Sequence, residues 1–203
     1  MKRIICLVLV FVLGFFIVSW AEEKGLLIDD FQGEITGGPD GTVDFGAGNG
    51  STIDVSAAGD IVHSGKQSLK VTFDAVAGGY LWVARGFGLD AKRAGWLVKP
   101  EEIDWAGYKT IAFYVYGDDS KTKVALDIKD SGNEMWRIIF EDNFKGWKQI
   151  ICPFNEFSAR SDWQPRDADN NARIDFPIKS FQFEPKPEAK GTLYFADVQL
   201  IGK

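Results

Sequence analysis

The sequence predicts an all-β domain folded as a two-sheet antiparallel β-sandwich of the jelly-roll type. Short segments rich in β-branched and aromatic residues recur along the chain, and glycine- and aspartate-containing turns separate them. Within several segments apolar and polar residues alternate, as they do in a strand that buries one face. Many short strands at this spacing are typical of sandwiches and jelly rolls.

Nine segments are predicted as strands. They span residues 26–31, 68–73, 80–83, 110–116, 123–129, 135–140, 148–152, 178–183 and 192–201. The longest interruption runs from Asp90 to Trp105 and has room for one helical turn. Neither an internal repeat nor a low-complexity linker divides the chain, so a single domain over residues 22–203 is expected.

The alternation within the strands predicts one apolar and one polar face. Successive side chains of a strand point to opposite faces, so Ile111, Phe113 and Val115 share the side that must pack on a second sheet. The opposite sides of these strands carry Tyr114, Tyr116, Asp127, Arg137 and Gln182. Tyrosine rings beside fixed charged and amide groups suit sugar recognition, because the ring covers C–H groups while the polar groups bind hydroxyls.

A plainer interpretation of this polar side is also open. If a hairpin turns around Gly132, Asp127 lies opposite Arg137 on the neighbouring strand. The two residues would then form a cross-strand ion pair worth a few tenths of a kcal/mol. From the residues alone, a binding face and a merely solvated face both remain possible.

The N-terminal residues 1–21 are predicted to be a secretory signal peptide. Lys2 and Arg3 give a basic start, residues 4–20 carry no charge, and Ser19 and Ala21 are the small residues of a cleavage site. The protein is therefore expected to be secreted or periplasmic. An uncleaved anchor is the alternative, since the apolar run approaches the roughly 17–25 residues that span a bilayer.

The net charge narrows the classes of possible partner, and the cysteine count bears on disulfide formation. The whole chain has a formal net charge of −6, and loss of Lys2 and Arg3 with the signal would make it −8. An acidic chain argues against nucleic acid and anionic membrane surfaces as partners. Cys152 is the only cysteine expected in the mature chain, so no internal disulfide can form and a buried structural thiol is the expectation.

Six motifs in a fixed order suggest a family. They are LIDDF at 27–31, HSGKQSLKV at 63–71, WAGYKTI at 105–111 followed by FYVYG at 113–117, GWKQI at 146–150, FSARSDWQP at 157–165 followed by FQF at 181–183, and GTLYFADVQL at 191–200. In this order they resemble the jelly-roll carbohydrate-binding modules of the galactose-binding-like superfamily. The similarity is greatest to the β-glucan-binding family 11 type, and the intermediate-associated protein 30 group is related.

This resemblance implies a secreted, non-catalytic module that binds a polysaccharide, β-glucan-like in kind, on a concave sheet. Tyr114, Tyr116, Asp127, Arg137 and Gln182 would fall on that sheet. Two tryptophans, Trp82 and Trp163, are further stacking candidates. The alternatives are a secreted interaction or assembly protein that uses the same fold to bind a protein partner, and a small hydrolase or lyase.

The resemblance also implies a structural calcium near the paired terminal strands. Its expected ligands are Asp29 or Asp30 together with Asp197, and backbone carbonyls near Gly65 and Lys66. Calcium takes several oxygen ligands, carboxylates among them. The chain departs from the family pattern at two positions, since glutamine at 32 stands where an acidic residue is common and alanine at 196 replaces the first residue of an Asp-Asp pair.

No catalytic machinery is expected. The segment Glu102-Ile103-Asp104 approaches a glucanase signature in which alternate strand residues supply two carboxyl groups, but Gly107 stands where the second glutamate belongs. An aspartate-rich loop at 167–171 lacks the glycine and the bidentate glutamate of a calcium loop. Three further tryptophans, at positions 105, 136 and 147, are predicted to lie in the core.

Overall fold

The computed structural model describes residues 25–202, and the predicted signal peptide lies outside the described residues. Within these residues the chain forms twelve strands. They are β1 (Leu26–Asp29), β2 (Asp44–Gly48), β3 (Thr52–Ala58), β4 (Ser68–Ala75), β5 (Tyr80–Gly86), β6 (Tyr108–Asp118), β7 (Lys123–Lys129), β8 (Met135–Glu141), β9 (Lys145–Pro153), β10 (Ser158–Ala159), β11 (Ser180–Pro185) and β12 (Ala189–Gly202). The all-β prediction is confirmed.

Short 3₁₀ helices supply the helical turns of the described chain. They span Pro100–Glu102, Trp105–Gly107 and Phe154–Glu156. The first lies in the long interruption before Trp105, where one helical turn was predicted. Between residues 25 and 202, none of the helices has the length and apolar character needed to cross a membrane.

Two antiparallel sheets form the predicted sandwich. The first sheet has the strand order β3-β4-β12-β6-β9, and β1 pairs with β12 beside this path. The second sheet has the order β10-β8-β7-β11-β5-β2. Some consecutive strands, such as β7 and β8, pair within one sheet, whereas β6 and β7 lie in different sheets.

Apolar side chains from both sheets meet in the core, as the alternation predicted. Phe113 of the first sheet and Leu126 of the second are fully buried. Phe183 of β11 stacks on Phe195 of β12 with ring centroids 4.0 Å apart, so this pair joins the two sheets directly. Burial of side chains of this size contributes roughly 1.5–3 kcal/mol each.

The predicted core tryptophans divide into two groups. Trp105 and Trp136 are buried, as predicted, and Trp136 Nε1 donates a hydrogen bond of 3.0 Å to Asp130 Oδ2. The prediction for Trp147 is wrong. It lies opposite Tyr116 in the register of β6 and β9, on the outer face of the first sheet, and it is only partly buried.

Candidate functional site

A row of side chains that is polar on four of its five strands crosses the outer face of the second sheet. The register places Arg137 of β8 opposite Asp127 of β7, and Asp127 opposite Gln182 of β11. Gln182 in turn lies opposite Ala84 of β5, which lies opposite Asp44 of β2. The structure thus brings three of the predicted binding residues, Asp127, Arg137 and Gln182, into one row.

Asp127 is the buried centre of this row. The hairpin turns around Gly132 as predicted, and Arg137 binds the carboxylate with both Nε (2.7 Å to Oδ1) and Nη2 (2.8 Å to Oδ2). Arg160 Nη1 donates a further hydrogen bond of 3.1 Å to Oδ2. Burial raises the pKa of Asp127, while the hydrogen bonds and charge of Arg137 oppose that rise. Asp127 therefore orients two guanidinium groups and has no accessible surface of its own for a ligand.

A second buried carboxylate, Glu184, completes the network. Its Oε2 accepts a hydrogen bond of 2.7 Å from Arg137 Nη2 and lies 3.2 Å from Arg160 Nη2. Lys186 Nζ donates to Oε1 at 2.7 Å. A bidentate or shared guanidinium contact of this kind fixes orientation as well as charge. The side chains of Arg137 and Arg160 are consequently held in defined positions at the edge of the sheet.

An open groove of about 600 Å³ lies beside these two arginines, between β8 and the segment around β10. Asp162 lines it and is 53% exposed, and it accepts hydrogen bonds from Arg160 Nε (2.8 Å) and Arg137 Nη1 (3.2 Å). The hydrogen bond from Arg160 lowers the pKa of Asp162 to about 2. Asp162 is thus an ionised, accessible acceptor at neutral pH.

Trp163 follows Asp162 and is 55% exposed, in agreement with the predicted exposure. The guanidinium of Arg160 lies 5.6 Å from the centroid of its ring. A cation–π contact at this distance contributes about 0.5–1 kcal/mol when exposed. Trp163 is therefore an aromatic surface at the β10 end of the polar row.

Two aromatic rings lie flat on the other end of the second sheet. Trp82 covers Gly46 of the neighbouring strand so closely that a Cβ atom there would lie 2.5 Å from its ring, and Tyr80 covers Gly48 in the same way. The two rings are nearly parallel, at 16°, with centroids 6.1 Å apart. Trp82 Nε1 donates a 3.2 Å hydrogen bond to Asp44 Oδ1, which fixes the indole. The pair forms a flat apolar surface next to the polar row.

Tyr114 and Tyr116 do not belong to this site, so their predicted place on the same face is wrong. Both lie on β6, in the first sheet, and their side chains point away from the core on the opposite side of the sandwich. His63 stacks on Tyr114 with ring centroids 3.7 Å apart. Tyr116 packs against Trp147 (5.6 Å) and Tyr194 (5.9 Å). The chain crosses from one sheet to the other between β6 and β7, which separates the tyrosines from Asp127.

The carboxylates expected to ligate calcium contact other groups of the chain in the structure. Asp197 Oδ2 lies 2.7 Å from His63 Nδ1, and Asp29 Oδ2 lies 2.6 Å from Arg85 Nε. Asp30 Oδ1 accepts a backbone hydrogen bond two residues further along the chain. Among residues 25–202, no three His, Cys, Asp or Glu side chains are grouped as metal ligands would be. Each of these three carboxylates has a hydrogen-bonding partner within the chain.

Comparison with known proteins agrees with the fold. The family model described as carbohydrate binding domain (family 11) matches residues 18–203. The family 11 module of the cellulosomal cellulase Lic26A-Cel5E of Clostridium thermocellum is 19% identical, with a TM-score of 0.67 over 89% of this chain and 95% of that one. A family 11 module from the same organism, in complex with a β-1,3-1,4-mixed-linked tetrasaccharide, is 20% identical, with a TM-score of 0.66 over 87% and 95%.

A curated relative is an enzyme of much greater length. Mannan endo-1,4-beta-mannosidase of Bifidobacterium adolescentis is 25% identical over 148 residues, which are 73% of this chain. The chain spans 13% of that enzyme's length. The similarity is thus to one part of a larger protein.

Proposed function

Because the chain belongs to the family 11 carbohydrate-binding domains, we propose that the outer face of its second sheet binds a β-glucan-like polysaccharide without cleaving it. The observation that carries this proposal is the flat pair formed by Tyr80 and Trp82, next to a row of polar groups held in place by buried ion pairs. A pyranose presents a C–H face and a rim of hydroxyls. An aromatic surface with neighbouring polar groups complements both features.

The length of the face favours a chain of sugars over a single ring. The second sheet has six strands, and at a spacing of about 4.8 Å these span roughly 24 Å from β10 to β2. Trp163 stands near one end, the pair of Tyr80 and Trp82 near the other, and Gln182 lies between them. The mixed-linked tetrasaccharide bound by the structural relative is a ligand of this elongated kind.

The charges of the face favour a neutral polymer. The two guanidinium groups of Arg137 and Arg160 are matched by the carboxylates of Asp127, Glu184 and Asp162. No surplus positive charge is left in this network to attract uronic acid residues, and the whole chain is acidic. We therefore expect binding to neutral glucans and not to alginate.

Binding without hydrolysis is supported by the state of the carboxylates. Glycosidases use two carboxyl groups that reach the scissile bond, one as acid and one as base or nucleophile. Asp127 and Glu184 are buried and hydrogen-bonded to Arg137. Glu102 ends a 3₁₀ helix instead of lying on a strand that faces the groove. These residues fit a binding role better than a catalytic one.

We further propose that the protein is exported, as a secreted or periplasmic module. The support is the residue pattern of positions 1–21, with its basic start, uncharged run and small residues at 19 and 21. Mass spectrometry of the protein isolated from its native source should find Glu22 as the first residue. Recovery of the intact N-terminus in a membrane fraction would favour an anchor instead.

The experiment for ligand binding is affinity electrophoresis of residues 22–203. Gels are cast with mixed-linkage β-glucan, xyloglucan, mannan or alginate, and migration is compared with a gel that contains no polymer. We expect retardation by a neutral β-glucan, and alginate serves as the anionic control. Free migration through every gel would contradict the proposal and would direct the search to a protein partner by co-purification.

A further inference from the structure

The side chain of Gln32 fills the space between the segment after β1 and the loop before β4. Its Nε2 atom lies 2.7 Å from the carbonyl oxygen of Gln67, 3.0 Å from that of Asp30 and 3.4 Å from that of Ser64. Its Oε1 atom accepts a 2.6 Å hydrogen bond from the backbone N–H of Lys66. A single amide therefore satisfies carbonyls from both segments and one N–H of the loop.

The loop is folded tightly around this amide. Gly65 has φ of +66°, and a Cβ atom at this position would overlap the side-chain amide of Gln32. Gln67 returns the contact, since its Nε2 donates 2.7 Å hydrogen bonds to the carbonyls of Phe31 and Gly33. The two glutamines thus join the segment and the loop reciprocally.

The converging carbonyls are the kind of ligand that a hard cation binds. Calcium takes six to eight oxygens at about 2.3–2.6 Å, usually with carboxylates among them. Here Nε2 of Gln32 stands at the point where the carbonyls of Asp30, Ser64 and Gln67 converge, and the N–H of Lys66 points to the same amide. The N–H of Lys66 donates to Oε1 of this amide, an acceptor that a cation could not supply. The nearby carboxylate of Asp197 is already bound by the hydroxyl of Ser64 at 2.6 Å.

We propose that the amide group of Gln32 takes the place of a calcium ion at this junction, so that the protein closes the loop without metal. The neutral amide donates N–H hydrogen bonds to carbonyl oxygens that a cation would otherwise coordinate. Glutamate at this position would turn a carboxylate oxygen toward the same carbonyls. While the carboxylate is ionised, a bound cation would relieve the repulsion between these oxygens.

The test compares thermal unfolding of residues 22–203 in EDTA and in millimolar CaCl₂. For the wild-type protein we expect the same Tm in both conditions, and no calcium by elemental analysis after purification. The Gln32→Ala variant should melt about 4–8 °C lower in both conditions, since its loop loses the partly buried hydrogen bonds of this amide. The Gln32→Glu variant should melt lower in EDTA and recover when CaCl₂ is added.

Asn49→Asp provides the control, because it adds the same charge at the turn after β2, beside Gly78 and at the opposite end of β4 from this loop. Its Tm should be insensitive to calcium. A wild-type Tm that falls in EDTA would overturn the proposal, and so would a Gln32→Ala variant as stable as the wild type. A Gln32→Glu variant that is folded but indifferent to calcium would show that the amide does not mark a cation position. These measurements need no glycan, so their outcome is independent of the proposed ligand.

Discussion

Replacing Tyr80 with alanine tests the aromatic surface directly. The residue is 50% exposed, and its ring lies flat over the neighbouring strand beside Trp82. Aromatic side chains present about 150–250 Å² in all, so roughly 100 Å² of Tyr80 is open to a ligand. A sugar that covers half of this area gains about 1.2 kcal/mol at roughly 25 cal/mol per Å². Loss of the ring should therefore weaken binding roughly eightfold.

The assay is isothermal titration with a soluble oligosaccharide of the polymer that retards the wild-type protein. Tyr116→Ala is the matched control, because it removes the same side chain from the outer face of the other sheet. We expect Tyr80→Ala to raise Kd roughly eightfold, by the area estimate above, and Tyr116→Ala to leave Kd unchanged. Thermal unfolding of both variants shows whether either has lost its fold. An equal or larger loss with Tyr116→Ala would refute the assignment of the binding face.

Three further changes test the network and its surroundings. Arg137→Ala leaves the fully buried carboxylate of Asp127 without its bidentate partner. Urea unfolding should therefore show that the free energy of unfolding falls by about 2–4 kcal/mol. A fall of less than about 0.5 kcal/mol would contradict the structural role of Arg137. Trp163→Ala should weaken glycan binding severalfold but change stability by less than about 0.5 kcal/mol, and a large fall in Tm would count against its exposure. Burial alone would raise the pKa of Asp142, but hydrogen bonds from Ser120 and its neighbours lower this pKa overall. The ionised form of Asp142 thus stabilises the fold above about pH 3.9, the ordinary pKa of an aspartate in an unfolded chain. This contribution is lost as the pH falls through the lower pKa that Asp142 has in the folded state. Asp142→Asn should flatten the decline of the urea midpoint between about pH 5 and pH 2, and an unchanged slope would exclude this carboxylate as its source.

Most strands could be predicted from sequence because their alternation reflects burial of one face. The bounds predicted for β7 agree with the structure, whereas β2, β3 and the two-residue β10 are absent from the predicted strands. In β2 two of five residues are glycines, Gly46 and Gly48, and the local propensity of such a segment predicts a turn. Pairing with β5 makes it a strand, and the glycines provide room for the aromatic rings above them. Tertiary context thus overrides local propensity at this edge.

The parts of the site that could be predicted are those set by local contacts. A hairpin around Gly132 fixes which residues oppose each other, so the pair of Asp127 and Arg137 follows from sequence. The contacts of Arg160 and Glu184 with this pair depend on how distant strands assemble, and no sequence spacing encodes them. Tyr80 was missed, although a signal existed. Tyr80 and Trp82 are two residues apart on β5, and Gly46 and Gly48 are two residues apart on β2. This spacing indicates aromatic rings that lie flat on the backbone of a neighbouring strand.

The error over Tyr114 and Tyr116 has a geometric cause. Alternation shows which residues of one strand share a face, but it does not show to which sheet the strand belongs. In a sandwich the outer faces of both sheets carry polar and aromatic residues, and only the inner faces are recognisably apolar. β6 and β7 are separated by four residues in sequence and yet lie in different sheets. Tyrosines of one outer face were therefore combined with charged residues of the other, and the comparison of Tyr80→Ala with Tyr116→Ala turns this distinction into a measurable difference in affinity.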